Sequence, residues 1–270
     1  MSVSRSPAYE AVLAAMRTGQ TVLLDGAIST ELDSRGVLMT PGEDGSPSPN
    51  RLAAVAAPEV LIALHVDYIR AGARVITAHT FGHTRAYLED GGAGDRFEEL
   101  NRCAVECALE ARRRTQTEGS VLVAGSLTHH MAKGPGKYSP PREPGVFERE
   151  MKEMVAIQKA AGVDLFLLEM VGCPTFTPPM IRAVQAYHMP FWLGLSAKDT
   201  ALATGTQGDG VLRVYNDEAT PLAEALPAVI ACAKGAEGVD TGCDLAGAMH
   251  CKPGVIGPTL ELIRDHGWDG

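Results

Sequence analysis

The 270-residue sequence predicts an α/β fold, with a parallel sheet inside and helices outside. Three observations predict it: short β-branched apolar runs recur along the chain, helix-patterned stretches separate them, and two of the runs are entered from a helix through Ala-Gly. Strands covered on both faces read as continuous apolar runs, as a sheet sandwiched between helical layers requires.

In order, the predicted strands are 21–27 (TVLLDGA), 75–81 (VITAHTF), 121–127 (VLVAGSL), 165–171 (LFLLEMV), 191–197 (FWLGLSA) and 245–251 (LAGAMHC). Helical patterns occupy 58–71, 97–114, 146–161, 177–187 and 220–234, and PTLELIRDHGWDG opens another after the sixth strand. The glycines of AGARVITA (71–78) and AGVDLFLL (161–168) suit helix C-caps, where glycine takes a left-handed conformation at no steric cost. Two Gly/Pro-rich loops, 40–50 and 131–145, interrupt the alternation near strand C-terminal ends. No boundary divides the pattern, so residues 1–270 read as a single domain. Alternation of this kind over about 250 residues predicts the (β/α)8 TIM-barrel type, here with about six βα units visible. The chain stops where a seventh strand is expected. A C-terminally incomplete domain is the simplest expectation, and an unclosed barrel is expected to form a homo-oligomer or take a partner chain.

Hydrophobic residues make up 45% and charged residues 21%, a globular balance. A net charge of −9 argues against a nucleic-acid or anionic-membrane partner, which would need clustered Lys and Arg. No apolar run is long enough for a signal or a membrane span, so a cytoplasmic protein is expected. Six cysteines in such a chain read as core residues, ligands or reactive thiols, not as a disulfide framework.

Strand ends carry the candidate chemistry: Asp25, His79 and Thr80, Ser126, Glu169, and His250 with Cys251. On one face of a parallel sheet they form a pocket suited to an amino acid, with carboxylates for its ammonium group and hydroxyls for its carboxylate. Cys103 and Cys107, spaced i,i+4, read as small contacts on a buried helix face, as does Cys232, and Cys243 falls near the opposite end of the sheet from Cys251. His65 reads as structural, and His129 and His130 as loop residues in solvent. The glycine-rich GTQGDG (205–210) carries only a weak phosphate signal, and no Walker or dinucleotide fingerprint occurs at a strand–helix junction.

LLDGAISTELDSRG (23–36), VDYIRAGARVITAHTF (66–81), VLVAGS (121–126), GVDLFLLEM (162–170) and AGAMHCKPGVIGPTLELIR (246–264) together resemble the homocysteine S-methyltransferase family. The resemblance implies a (β/α)8 barrel that holds one zinc through three cysteines and moves a methyl group onto the thiol of homocysteine, forming methionine. It makes Cys251 the first zinc ligand and the chemical centre. It assigns Asp25 and Glu169 to the amino group, and Thr80, Ser126 and Gly26 to the pocket lining. Zinc would deprotonate the substrate thiol, and a three-ligand site leaves a position open for it. His250 stands where the family has Asn, and the family's adjacent cysteine pair is absent. Further metal donors are therefore sought on the same face, at Cys173, His250 and His79. The rival readings are a metal-free barrel acting as a binding or assembly subunit, and a methyltransferase for another thiol or a selenol. Because 40–50 and 131–145 offer no aromatic cage, the expected donor is a sulfonium ahead of a quaternary ammonium.

Overall fold

The structure is a computed structural model and describes residues 3–42, 47–130, 142–199, 209–215 and 217–268. The chain opens with α1 (Pro7–Arg17), α2 (Ile28–Ser34), α3 (Ala53–Ala56) and α4 (Pro58–Arg70). β1 (Val75–Thr77), α5 (Arg85–Asp90), α6 (Phe97–Arg114), β2 (Leu122–Thr128), α7 (Pro144–Ala161) and β3 (Leu165–Val171) follow. Then come α8 (Thr177–Gln185), β4 (Phe191–Leu195), β5 (Ala197–Lys198), β6 (Arg213–Val214) and β7 (Asp217–Pro221). The described chain closes with α9 (Leu222–Lys234), β8 (Cys243–Ala248) and α10 (Pro253–Asp265).

Five strands form one parallel sheet in the order β1-β2-β3-β4-β8, so spatial order follows chain order as in a barrel wall. The predicted helices are present within a few residues of their expected bounds. Pro sits in the first turn of α4 and α7, where a missing N–H costs nothing, and Gly162 at φ 108° ends α7 as the Ala-Gly signature predicted. Helix α10 starts at Pro253, five residues earlier than predicted, and carries Pro258 inside it.

The first predicted strand is a correction. Residues 21–27 contribute a single bridge, Leu24 to Val75, backed by the Asp25 N–H on the Val75 carbonyl. Leu23 and Leu24 remain 50% and 40% exposed, because no described strand pairs on their outer side. The small antiparallel sheet β5-β6-β7 was not predicted: its strands are two to five residues long, too short for a period-2 signal.

Side-chain alternation divides the core in two. Ile76, Val123, Phe166, Leu168, Phe191 and Leu193 point toward the helices and join the large cluster built on α4, α6, α7 and α8. Val75, Leu122, Ala124, Leu165, Leu167 and Trp192 point to the other face, where Tyr9, Val12 and Leu13 of α1 cover them. Ser6 caps α1 by accepting the Tyr9 N–H, and α1 is then locked to the far end of the sequence. Arg5 pairs with Asp240 at 2.7 Å and with Asp244 at 2.9 Å, and Tyr9 Oη bridges the Trp192 indole N–H (2.8 Å) and Asp244 Oδ2 (2.9 Å). The face that α1 covers is the face on which, further along the same strands, the candidate site opens. No helix among the described residues is long and apolar enough to cross a membrane.

Candidate active site

Period-2 geometry places the site. Thr77 shares a face with Val75, Ser126 with Leu122 and Ala124, and Glu169 with Leu165 and Leu167. These side chains therefore emerge at the C-terminal ends of β1, β2 and β3 into one cavity of about 440 Å³. Asp25, Gly26, Thr77, His79, Phe81, Ser126, Glu169, Met249 and His250 line it, together with residues 27–30 at the start of α2. Beside Glu169 the β3–β4 register shifts, with Met170 at φ 55°. Such a bulge re-aims the neighbouring side chains, a feature common beside active sites.

The two carboxylates have different partners. Asp25 Oδ2 accepts the Thr77 backbone N–H at 2.7 Å, and Oδ1 accepts its hydroxyl at 2.9 Å. Burial, opposed by these bonds and assisted by the nearby Glu169 charge, pushes the Asp25 carboxyl up to about 7. Glu169 Oε1 accepts the Ser126 hydroxyl at 2.5 Å, and Oε2 meets His250 Nε2 at 3.1 Å. His250 holds φ 50°, a left-handed conformation that Asn and His enter more readily than most residues. That backbone requirement accounts for His being accommodated where the resembled family carries Asn.

Gly26 lines the cavity, and Tyr68 packs against it so closely that a Cβ there would stand 2.7 Å from the phenol oxygen. Thr80 does not line the cavity. It is fully buried, accepting the Ser126 N–H and donating to the Ser126 carbonyl, both at 2.9 Å, so it braces the residue that bonds Glu169.

The metal candidates are not brought together. Cys251 Sγ lies outside the cavity lining, donating to the Met249 carbonyl (3.1 Å) and accepting the Ala197 N–H (3.3 Å). Burial pushes its thiol up, against thiolate formation. Cys173 is buried beside Asp217, and His79, though in the lining, directs Nε2 to the Asn50 carbonyl at 3.0 Å. All six cysteines and all eight histidines lie among the described residues. Among those residues no three His, Cys, Asp or Glu side chains gather as a ligand set, so the zinc implied by the resemblance does not fit the donors found here.

Two histidines correct the loop-in-solvent expectation. His129 is 1% exposed, with its ring 6.4 Å from Phe176, and His130 joins an aromatic cluster at the cavity. In that cluster Phe81 lies 5.9 Å from His250, 6.3 Å from His130 and 6.4 Å from Tyr87, and Tyr87 lies 5.7 Å from His130. Phe81, Tyr87 and Thr77 were missed as site residues. Phe81 closes the predicted second strand and Thr77 sits two before His79 on the same face, so strand parity could have found both. Tyr87 lies on a six-residue helix that leaves no periodic signal.

Known proteins resemble this chain in sequence and in fold. "Homocysteine S-methyltransferase 4" of Zea mays is 28% identical over 232 residues, covering 78% of this chain and 64% of its own length. The chain thus spans less than two thirds of that relative. "Betaine--homocysteine S-methyltransferase 1" of Sus scrofa is 29% identical over 126 residues, covering 47% of this chain and 43% of its own. The metallated form of the homocysteine methyltransferase MmuM from Escherichia coli shares the fold, with a TM-score of 0.64 at 21% identity over 97% of this chain and 92% of that one. The family model described as "Homocysteine S-methyltransferase" matches residues 22–253, and the chain belongs to that family.

Proposed function

We propose that this protein transfers a methyl group from an onium donor to the thiol of homocysteine, giving methionine. The observation that carries the reading is the cavity: two carboxylates, Asp25 and Glu169, with the Ser126 hydroxyl and the backbone at the start of α2, at the strand ends of a chain of this family. Carboxylates suit the acceptor's ammonium group, and Ser29 and Thr30 offer hydroxyls and backbone N–H groups to its carboxylate. An assembly subunit would have no use for such a pocket.

The aromatic cluster supports an onium donor. Phe81 lines the cavity with Tyr87 and His130 behind it, and aromatic faces attract sulfonium and quaternary ammonium groups alike. The aromatic face at the cavity is that of Phe81, after β1, with Tyr87 and His130 packed against it. Methyl transfer would be a direct displacement in which the protein chiefly aligns sulfur, methyl carbon and leaving group. Zinc at Cys251 would need co-ligands that the described residues do not gather.

The test is to incubate the purified chain with homocysteine and a panel of S-methylmethionine, betaine and other onium donors, and to quantify methionine. Failure to methylate homocysteine with any donor sinks the reading. In an active preparation, Phe81→Ala should raise the donor KM by about 2- to 30-fold, the value of a cation–π contact of about 0.5–2 kcal/mol. The homocysteine KM should stay nearly constant.

A further inference from the structure

The geometry points to His250 as a positioning residue that holds the acceptor's anchor and the donor's aromatic face at one fixed offset across the mouth of the cavity. The inference rests on the methyl-transfer reading above and adds a residue that decides how the two substrates meet.

His250 ties three strand ends together. It follows β8, Glu169 stands near the end of β3, and Phe81 follows β1. β8 and β1 occupy opposite ends of the five-stranded sheet, and no ladder joins them among the described residues. The imidazole crosses that gap. Its Nε2 lies 3.1 Å from Glu169 Oε2, and its ring lies 5.9 Å from the Phe81 ring with 31° between the planes. A carboxylate only accepts, so Nε2 carries the hydrogen and donates it. One side chain thus holds the carboxylate by its N–H and the phenyl ring by its face.

The base of this strut is itself fixed. The Met249 N–H donates to the Leu195 carbonyl at 2.9 Å, and the Met249 carbonyl accepts the hydroxyl of the buried Ser196 at 2.7 Å. Both partners lie at the C-terminal end of β4, and the left-handed turn at His250, φ 50°, starts from that anchor. The imidazole remains 41% exposed. A side chain so open adds little to folding, so its two contacts bear on the cavity and not on the core.

The chemistry gives the offset its value. Displacement needs the acceptor sulfur, the methyl carbon and the leaving atom in line, with the reacting atoms about 3–3.5 Å apart, and a misplacement of about 1 Å can cost about 100-fold. In the reading above Glu169 holds the acceptor and the Phe81 face meets the donor. His250 touches both, so it sets their separation.

The experiment separates the N–H from the ring. His250→Gln keeps an N–H at about the reach of Nε2 and removes the aromatic face; His250→Phe does the reverse. Each variant is assayed beside wild type with zinc supplied, varying homocysteine and the onium donor in turn, and its bound zinc is measured. His250→Gln should raise the donor KM by about 2- to 10-fold and leave the homocysteine KM within about twofold. His250→Phe should raise the homocysteine KM by about 2- to 10-fold and leave the donor KM within about twofold. In both, kcat should fall, since either loss loosens the alignment. A general loosening of the fold moves both constants together and does not produce this crossed pattern. Any other pattern of the two constants overturns the inference. So does a loss of bound zinc relative to wild type, which would make His250 a metal donor. Either result leaves the methyl-transfer reading standing, because wild type still forms methionine. No methionine from wild type with any donor overturns that reading and this inference with it.

Discussion

Acidification below about pH 6.5 should unfold this protein steeply. His65, His79 and His83 are buried, and burial holds each imidazole below its ordinary value, His65 and His83 down to about 3. Among the described residues His65 has no hydrogen-bond partner on either nitrogen, so none of them compensates a charge there. In the unfolded chain these groups titrate near 6.5 and bind protons first. Their contribution is therefore complete above that pH and is lost as the pH falls toward the folded value. At about 1.4 kcal/mol per pH unit, His65 and His83 should each withdraw about 3 kcal/mol by pH 4.5, from a total that for most domains is about 5–15 kcal/mol. Asp25 works the other way. Its folded value is raised, so its share is complete below the unfolded carboxylate range and is lost as pH rises through about 7. Urea midpoints at pH 7.5, 6 and 5 measure the slope. His65→Leu should flatten it and raise stability at neutral pH, because an unpartnered buried imidazole gives way to an apolar side chain of smaller desolvation cost. An unchanged slope in that variant would remove His65 from the account.

Replacing Trp192 by alanine should cost about 3–5 kcal/mol, measured as a shift in the denaturant midpoint at constant m-value. The indole is 1% exposed, lies 6.3 Å from the Tyr9 ring and donates to the Tyr9 hydroxyl. Its loss opens a cavity between α1 and the sheet and takes the donor from a phenol that in turn holds Asp244. Trp192→Phe keeps most of the packing and removes only the N–H, so it should cost about 1–2 kcal/mol. If the two variants behave alike, the hydrogen bond and not the packing fastens α1.

The elements that could be read in advance are those with strong local signals. β2, β3 and β4 are apolar runs between amphipathic helices, and their positions and parallel pairing follow from that pattern. The first strand misled because TVLLDGA has a strand's composition, yet pairing is a tertiary property and its outer side has no described neighbour. At the site, Asp25, Ser126 and Glu169 could be read because strand ends at one edge of a parallel sheet must converge. Thr80 and Cys251 lie outside the cavity lining, which the sequence did not reveal because the direction of a side chain beyond the last paired residue depends on bulges and left-handed turns, such as those at Met170 and His250. The buried environment of His129 was equally hidden, since it comes from Phe176 in a distant segment.

The clasp between Arg5 and the Asp240–Asp244 segment has a consequence for how the chain is made. These partners are 235 and 239 residues apart in sequence, and closing a loop of that length is a late, entropically costly event. Arg5 beside helix α1 is synthesised 235 to 239 residues before its anchor. Until then one face of the growing sheet, with Leu122, Leu165 and Trp192 on it, has no secured cover. A nascent or stalled chain would therefore present an apolar surface to chaperones or to its own copies. Soluble yield should then depend more on the rate of elongation and on chaperone supply than the stability of the finished fold would suggest.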